Sequence, residues 1–347
     1  LTGAAQKGLG LAGNDPQVWA LGVKEVWEVE QPLEKVIHTL GWPLRPQAKY
    51  QEFGGSWIYG MNREGEKPKV SIGFVCGLDN ADARISVHDL LQEFKLHPLV
   101  KKILEGGKRV AWGAKALPGG GYWSMPKLSM PGAVLVGDAG GMVDTAALKG
   151  VHHSINSGIL AAEAIYESLK QGSDDFSAYE TALEESVTGK ELWEVRNTRQ
   201  PFSKGFFLGG ALVNMMIATK GKIPVRLPWH RQDEREMFIG KTSKKYPKPD
   251  GKYTFDKLSS VFITGNATRD DAPNHIRVQQ NVPREIAETW KWMCPAGVYE
   301  IPDDAPDEGM VDVIVNYTNC VQCGAITAKG GRLTTPEGGD GPLYQNT

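Results

Sequence analysis

The sequence has no apolar run long enough to span a bilayer, few cysteines and no long block of like charge. A spanning helix needs about 20 predominantly apolar residues. Insertion across a membrane is therefore not expected, and surface attachment stays open. Four cysteines, Cys76, Cys294, Cys320 and Cys323, are too few to make a disulfide scaffold of 347 residues. Lysine and arginine (39) nearly balance aspartate and glutamate (41), for a formal charge of -2. Nothing in that balance resembles a nucleic-acid footprint, so no nucleic-acid partner is expected. No start methionine or signal peptide precedes Leu1, and no G-x-G-x-x-G follows an early strand. From these absences we expect the N-terminal part of a dinucleotide-binding fold to lie outside this chain.

Glycine is plentiful at 41 residues, which suits tight turns and close backbone approach to a cofactor. WALGVKEVWEV (19–29), GSWIYGM (55–61) and VSIGFVCGL (70–78) are rich in valine and aromatics between glycines, a strand pattern. Residues 86–104 switch to helical periodicity around Leu90, Leu91, Phe94 and Leu99, interrupted at Pro98. Residues 176–200 are helical and charged, and a terminal unit begins near residue 240.

LVGDAGGMVDTAALKGVHHSINSG (135–158) is the first segment rich in chemistry. A strand ending at Val136 would release the backbone through Gly137, Asp138, Ala139, Gly140 and Gly141, where small residues let a cofactor approach the main chain. Asp138 is placed to accept a hydrogen bond from a ribityl or ribose hydroxyl. A helix starting near Gly150–Ser154 would aim unsatisfied N–H groups at a pyrophosphate or flavin edge. Its apolar face is expected to carry Ile159, Ala162, Ile165, Tyr166 and Leu169. An ordinary strand–turn–helix crossover would share this pattern. His152 and His153 stand at the helix start without surrounding metal-ligand spacing, and ordinary hydrogen-bonding roles account for them equally well. Tyr59 and His88 are proton carriers by side-chain type alone, so no catalytic acid or base is assigned.

The terminal unit brings Cys294, directly before Pro295, together with the close pair Cys320 and Cys323. Thiolates at such spacing suit an iron–sulfur cluster, and zinc takes the same donors. The position completing C-x2-C-x2-C is Ile326, which has no donor atom. Three explanations follow: an iron site with a non-cysteine or open position, a three-iron cluster, or a sequence short of residues near the loop. Cys76 reads as a buried small hydrophobe.

Between Pro201 and Pro224, residues Phe206 to Ala218 form an almost continuous apolar run, with Lys204, Lys220 and Lys222 at its ends. As a helix it would be about 20 Å long, too short for a bilayer core. It suits a monotopic contact through Phe206, Phe207, Leu208 and Leu212, while a buried core helix is the competing reading.

FGGSWIYGMN (53–62), GFVCGLDNAD (73–82), PKLSMPGAVLVGDAGG (126–141), KGVHHSINSGILAAEAI (149–165), YPKPDGKYTFDKLSSVFITG (246–265), NCVQC (319–323) and PEGGDGP (336–342) together resemble the electron transfer flavoprotein–ubiquinone oxidoreductases. The resemblance implies an α+β fold. A glutathione-reductase-like FAD-binding domain, its N-terminal part absent, would be interleaved with a quinone-binding sheet domain and followed by a small ferredoxin-like iron–sulfur domain. The corresponding division is 1–125, 126–170, 171–240 and 241–347. The resemblance places FAD at Gly137, Asp138, Gly140, Gly141, Lys149, Gly150 and Val151, and the quinone headgroup at Gly54 and Gly55. It places a cluster, [4Fe–4S] by family, on Cys294, Cys320 and Cys323. It implies electron transfer flavoprotein and ubiquinone as partners at a bilayer surface. That surface would be the matrix side of the mitochondrial inner membrane in a eukaryote, or the cytoplasmic side of the inner membrane in a prokaryote. An FAD-dependent dehydrogenase or hydroxylase of a small substrate, and a non-catalytic electron-transfer or assembly subunit, are the alternatives.

Overall fold

Valine, tryptophan and leucine line both faces of β1 (Trp19–Glu28), where Leu21, Val23, Val26 and Trp27 are all buried. A strand buried on both faces belongs inside a sheet, and β1 is second from one edge of five. The computed structural model orders these as β2 (Ile37–Leu40), β3 (Gly54–Gly60), β4 (Lys69–Gly77), β1 and β5 (Lys108–Pro118). It describes residues 9–13, 15–223, 239–240, 242–267 and 274–328. Two units compose it: residues 1–20, 46–51 and 117–235 form one, and residues 21–45, 52–116 and 236–347 form the other. Both are mixtures of helix and strand, so the α+β class holds.

In the second unit β2 pairs antiparallel with β3, and β3 with β4. The helical stretch expected over 86–104 is two helices. Ser86 caps α1 (Val87–Lys95), its hydroxyl accepting from Asp89 N, and His97 starts α2 (Pro98–Leu104) with proline in its first turn. Leu90, Leu91 and Phe94 of α1 are buried, along with Val100 and Leu104 of α2.

In the first unit, β6 (Ser129–Met130) and β7 (Ala133–Val134) form a short hairpin. The strand expected to end at Val136 is thus only two residues long as a strand. Leu135 N still donates to Leu128 O at 2.7 Å, so the chain stays extended into the glycine turn. The helix α3 (Val151–Lys170) has the expected extent but is turned differently. Ile159, Tyr166 and Leu169 are exposed, whereas His153, Ser157 and Ala161 are buried. Small residues on that edge permit close packing: Gly137 N donates to Ser157 Oγ at 3.0 Å. Behind the turn, Leu128, Met142, Ala161, Tyr179, Leu183 and Leu192 form one core with α4 (Ala178–Glu185) and α5 (Val187–Glu194). The apolar run is α6 (Phe206–Ala218). Among the described residues no helix is long and apolar enough to cross a membrane.

The second unit closes with α7 (Lys257–Phe262), β8 (Asn281–Pro283), α8 (Arg284–Met293), β9 (Tyr299–Glu300), β10 (Met310–Asp312), β11 (Ile314–Val315) and α9 (Ala325–Ala328). Two small antiparallel pairs, β8 with β10 and β9 with β11, frame the cysteines. The segment PEGGDGP (336–342) lies outside the described residues.

Candidate functional site

Three cysteines come together in the second unit. Cys294 ends α8, its N–H donating to Trp290 O at 3.1 Å, and its Sγ accepts from Val298 N at 3.4 Å. Cys320 follows a single 3-10 turn, Tyr317–Asn319, and its Sγ accepts from Gln322 N at 3.4 Å. Cys323 is held by a backbone hydrogen bond from Ala325. Burial, with the Cys294 and Cys320 thiols nearby, pushes its own thiol up to about 12. A thiol so raised is a poor thiolate without a cation beside it, and an iron centre supplies one. Each sulfur thus faces a main-chain N–H, the arrangement that tunes thiolate-bound clusters.

The loop between them is fixed from outside. Ala116 N of β5 donates to Cys323 O at 2.7 Å, Lys115 Nζ to Gln322 O at 3.2 Å, and Asn266 Nδ2 to Cys320 O at 3.0 Å. Gln322 sits at φ 51° and Gly324 at φ 85°, which folds the chain back over Cys323. Ile326 is buried in α9 and offers no donor. Cys76, at the end of β4, directs its thiol to Gly77 O at 3.5 Å and is buried, as expected of a small hydrophobe. The donor set present therefore fits a cluster with three cysteine ligands.

The second unit also contains an apolar pocket of about 380 Å³, walled by Ile37, Thr39, Leu40, Trp42, Ile58 and Phe94 with α2 residues and His97. His97 Nδ1 accepts from Leu99 N at 3.2 Å, which leaves Nε2 carrying the proton when the ring is neutral. Sequence reasoning missed His97; its position just before Pro98 was the only signal. Gly54 and Gly55 are buried at the start of β3, opposite Cys76 and Val75 of β4, and Gly55 also faces Leu40 of β2. A Cβ on Gly54 would collide with Val75 O, and one on Gly55 with Thr39 O. Tyr59 of β3 is partly exposed. His88 is buried edge-on to Trp112, its Nε2 2.9 Å from Phe255 O, and burial lowers it to about 4. It is a neutral core residue.

In the first unit, Gly137–Gly140 form a 3-10 turn and Gly141 follows at φ 76°. Gly137 sits at φ 53°, and a Cβ there would stand 2.6 Å from Ser154 Oγ. Both constraints demand glycine. No side chain caps α3 at Gly150. Asp138 Oδ1 lies where it would be 3.2 Å from a Cβ on Gly150, so carboxylate and helix start share one edge. Partial burial raises the Asp138 carboxyl above its ordinary value. Lys149 and Val151 flank this edge and are exposed. A glycine-lined turn with an uncapped helix start fits a nucleotide cofactor.

Along α6, Phe207 is 78% and Leu208 56% exposed, while Phe206 and Leu212 are half-buried. Gly209, Val213 and Met216 face inward, and Gly209 is needed because a Cβ would stand 2.8 Å from Phe202 Cα. The remaining face is open and apolar except for Asn214, whose Nδ2 donates to Gly210 O at 2.9 Å.

Residues 19–117 match a family model described as ETF-QO, ubiquinone-binding. Residues 251–345 match one described as electron transfer flavoprotein-ubiquinone oxidoreductase, 4Fe-4S. Among curated relatives, the mitochondrial electron transfer flavoprotein-ubiquinone oxidoreductase of Caenorhabditis elegans is 36% identical over 94% of this chain and 58% of its own length. The Pseudomonas aeruginosa enzyme is 37% identical over 96% and 62%, and the Bos taurus enzyme 36% over 96% and 57%. The chain thus spans roughly three-fifths of the relatives it matches. Among solved structures, a geranylgeranyl bacteriochlorophyll reductase-like protein of Thermoplasma acidophilum covers 59% of this chain and 48% of its own at TM-score 0.42 and 17% identity. That likeness is too remote to bear on the fold.

Proposed function

We propose, from the premise that this chain belongs to the electron transfer flavoprotein–ubiquinone oxidoreductase family, that it carries the quinone-binding and iron–sulfur parts of such an enzyme. On this reading it also holds the C-terminal part of the FAD site, within a glutathione-reductase-like domain. The parts are 1–125, 126–170, 171–240 and a ferredoxin-like 241–347. Electrons enter from electron transfer flavoprotein and leave to ubiquinone at a bilayer surface, which is the mitochondrial inner membrane or its prokaryotic counterpart.

The observation that carries the reading is the convergence of Cys294, Cys320 and Cys323, each sulfur with a main-chain donor. The cluster and flavin supply one- and two-electron chemistry when bound, and the chain's residues position the partners. Asp138 and the start of α3 hold the flavin. The apolar pocket accepts a lipid-soluble part of the quinone, and His97 Nε2–H is its polar donor. Gly54 and Gly55 bring strand backbone against the headgroup. Phe206, Phe207, Leu208 and Leu212 meet lipid. A dehydrogenase of a small soluble substrate has no use for the cysteine unit.

The test uses the full-length protein loaded with FAD and cluster, with electron transfer flavoprotein as donor and a ubiquinone analogue as acceptor. Single Cys→Ala variants should keep FAD, lose the low-temperature paramagnetic signal of the reduced cluster, and lose quinone reduction. A full cluster signal in all three variants would remove the assigned site.

A further inference from the structure

Directly after the residues assigned to the flavin, the first unit brings together three further side chains that match a different chemistry. His152 and His153 begin α3, and Glu191 lies on α5, 39 and 38 residues onward. One ligand atom from each lies within 4.8 Å of the others. His152 Nε2 is 3.2 Å and His153 Nε2 3.9 Å from Glu191 Oε2, and the two imidazoles overlap at 3.8 Å between centroids.

We propose that His152, His153 and Glu191 bind a divalent transition cation of the zinc type. Two imidazole nitrogens and a carboxylate oxygen are borderline donors, which favour zinc, cobalt or nickel over the oxygen-seeking magnesium and calcium. Tetrahedral ligands about 2.0–2.2 Å from zinc stand about 3.3 Å apart, which the 3.2 Å His152–Glu191 spacing matches and the 3.9 Å His153–Glu191 spacing reaches with a small inward shift. Three protein ligands leave a fourth position to water.

A second observation points to a ligand. His153 is buried (0% exposed), yet its Nε2 makes no hydrogen bond. A buried imidazole nitrogen without a hydrogen bond costs stability, and a cation between it and Glu191 Oε2, 3.9 Å away, would satisfy it. The opposite nitrogen is already engaged. His153 Nδ1 lies 3.2 Å from Thr188 Oγ1, which also takes a hydrogen bond from Asn156 Nδ2 at 2.9 Å. With Nδ1–H donating to Thr188, the Nε2 lone pair is fixed toward Glu191, the outer support that metal-binding histidines usually have. Bound there, the ion would tie the first turn of α3 to α5.

The test is calorimetric titration of Zn²⁺ into the tag-free, full-length holoprotein, whose cysteines are occupied by the cluster, repeated with Co²⁺ and read by visible absorption. His152→Ala and Glu191→Gln alter half-exposed side chains and leave buried His153 in place, so folding can be verified by circular dichroism. We expect one equivalent bound, a Co²⁺ spectrum without thiolate charge transfer, and affinity reduced at least tenfold in each variant. Wild-type affinity in either variant, a thiolate band in the cobalt spectrum, or no binding at millimolar cation would overturn the site.

Discussion

The Glu25 carboxylate lies 2.7 Å from the Lys95 ammonium, and neither side chain reaches solvent. Arg109 Nη1 approaches the same carboxylate at 3.3 Å and Trp27 Nε1 at 2.7 Å. The Lys95 ammonium is 5.3 Å from the Trp27 ring and 5.1 Å from that of Phe255. One anion therefore serves two cations inside the sheet unit.

Removing the anion should cost more than removing a cation. Glu25→Gln leaves Lys95 and Arg109 buried without a counter-charge, and loss of one partner from a buried pair costs about 3–5 kcal/mol. Lys95→Met leaves Glu25 with Arg109, so the loss should be clearly smaller. Urea denaturation of the two variants decides the order.

The same triad sets a pH dependence. Burial favours raising the Glu25 carboxyl, but Lys95 and Arg109 outweigh it and hold it below the ordinary value. The stabilisation is present above the free glutamate range of about 4.3 and is lost as pH falls through the folded value. Burial lowers Lys95 to about 8 despite Glu25. From there to the free lysine value of about 10.4 the unfolded chain holds the extra proton, so this contribution rises with pH. Denaturation curves for wild type and Lys95→Met should diverge over that alkaline window, and parallel curves would refute the assignment.

Cys323 should be unreactive when the cluster is removed. With its thiol raised to about 12, only about one molecule in ten thousand carries the thiolate at pH 8, and the thiolate is the nucleophile. Alkylation mapped by mass spectrometry should be slow at Cys323 and accelerate about tenfold per pH unit. A fast, pH-independent reaction would contradict the raised thiol.

Asp138→Ala should weaken flavin retention in the full-length protein while leaving the fold intact, because the carboxylate stands beside the uncapped start of α3. Bound FAD after desalting is the measurement, and unchanged retention would place the flavin elsewhere.

Phe207→Asp with Leu208→Asp should abolish flotation with liposomes without lowering thermal stability, since both side chains are exposed. Each apolar side chain transferred to lipid is worth about 1.5–3 kcal/mol, so partitioning should fall by at least about tenfold. Equal flotation would assign membrane contact to another surface.

The strands β1, β3 and β4 and the break at Pro98 were legible because valine, glycine and proline report their own local geometry. Cys320 and Cys323 announced themselves by spacing, and Phe206–Ala218 by length. Glu191 was not legible, because it meets His152 and His153 only through the packing of α5 on α3. The apolar stripe of α3 was misread for a related reason. Periodicity ranks side chains by hydrophobicity, whereas Ser157 and Ala161 face inward because the glycine turn leaves room only for small residues. Glu25 is one polar residue in a strand pattern, and its partners Lys95 and Arg109 reach it from α1 and β5 only in the folded chain.

Gly54 and Gly55 also constrain how this sheet can diverge. The carbonyl oxygens of Val75 and Thr39 stand where side chains would begin, so even alanine would require the strands to be respaced. A descendant that changed what it binds would keep both glycines for the sake of the sheet. Diversification has the pocket walls to work with instead: Trp42, His97 and Leu99 line the pocket from outside the strands and can each be exchanged without moving one.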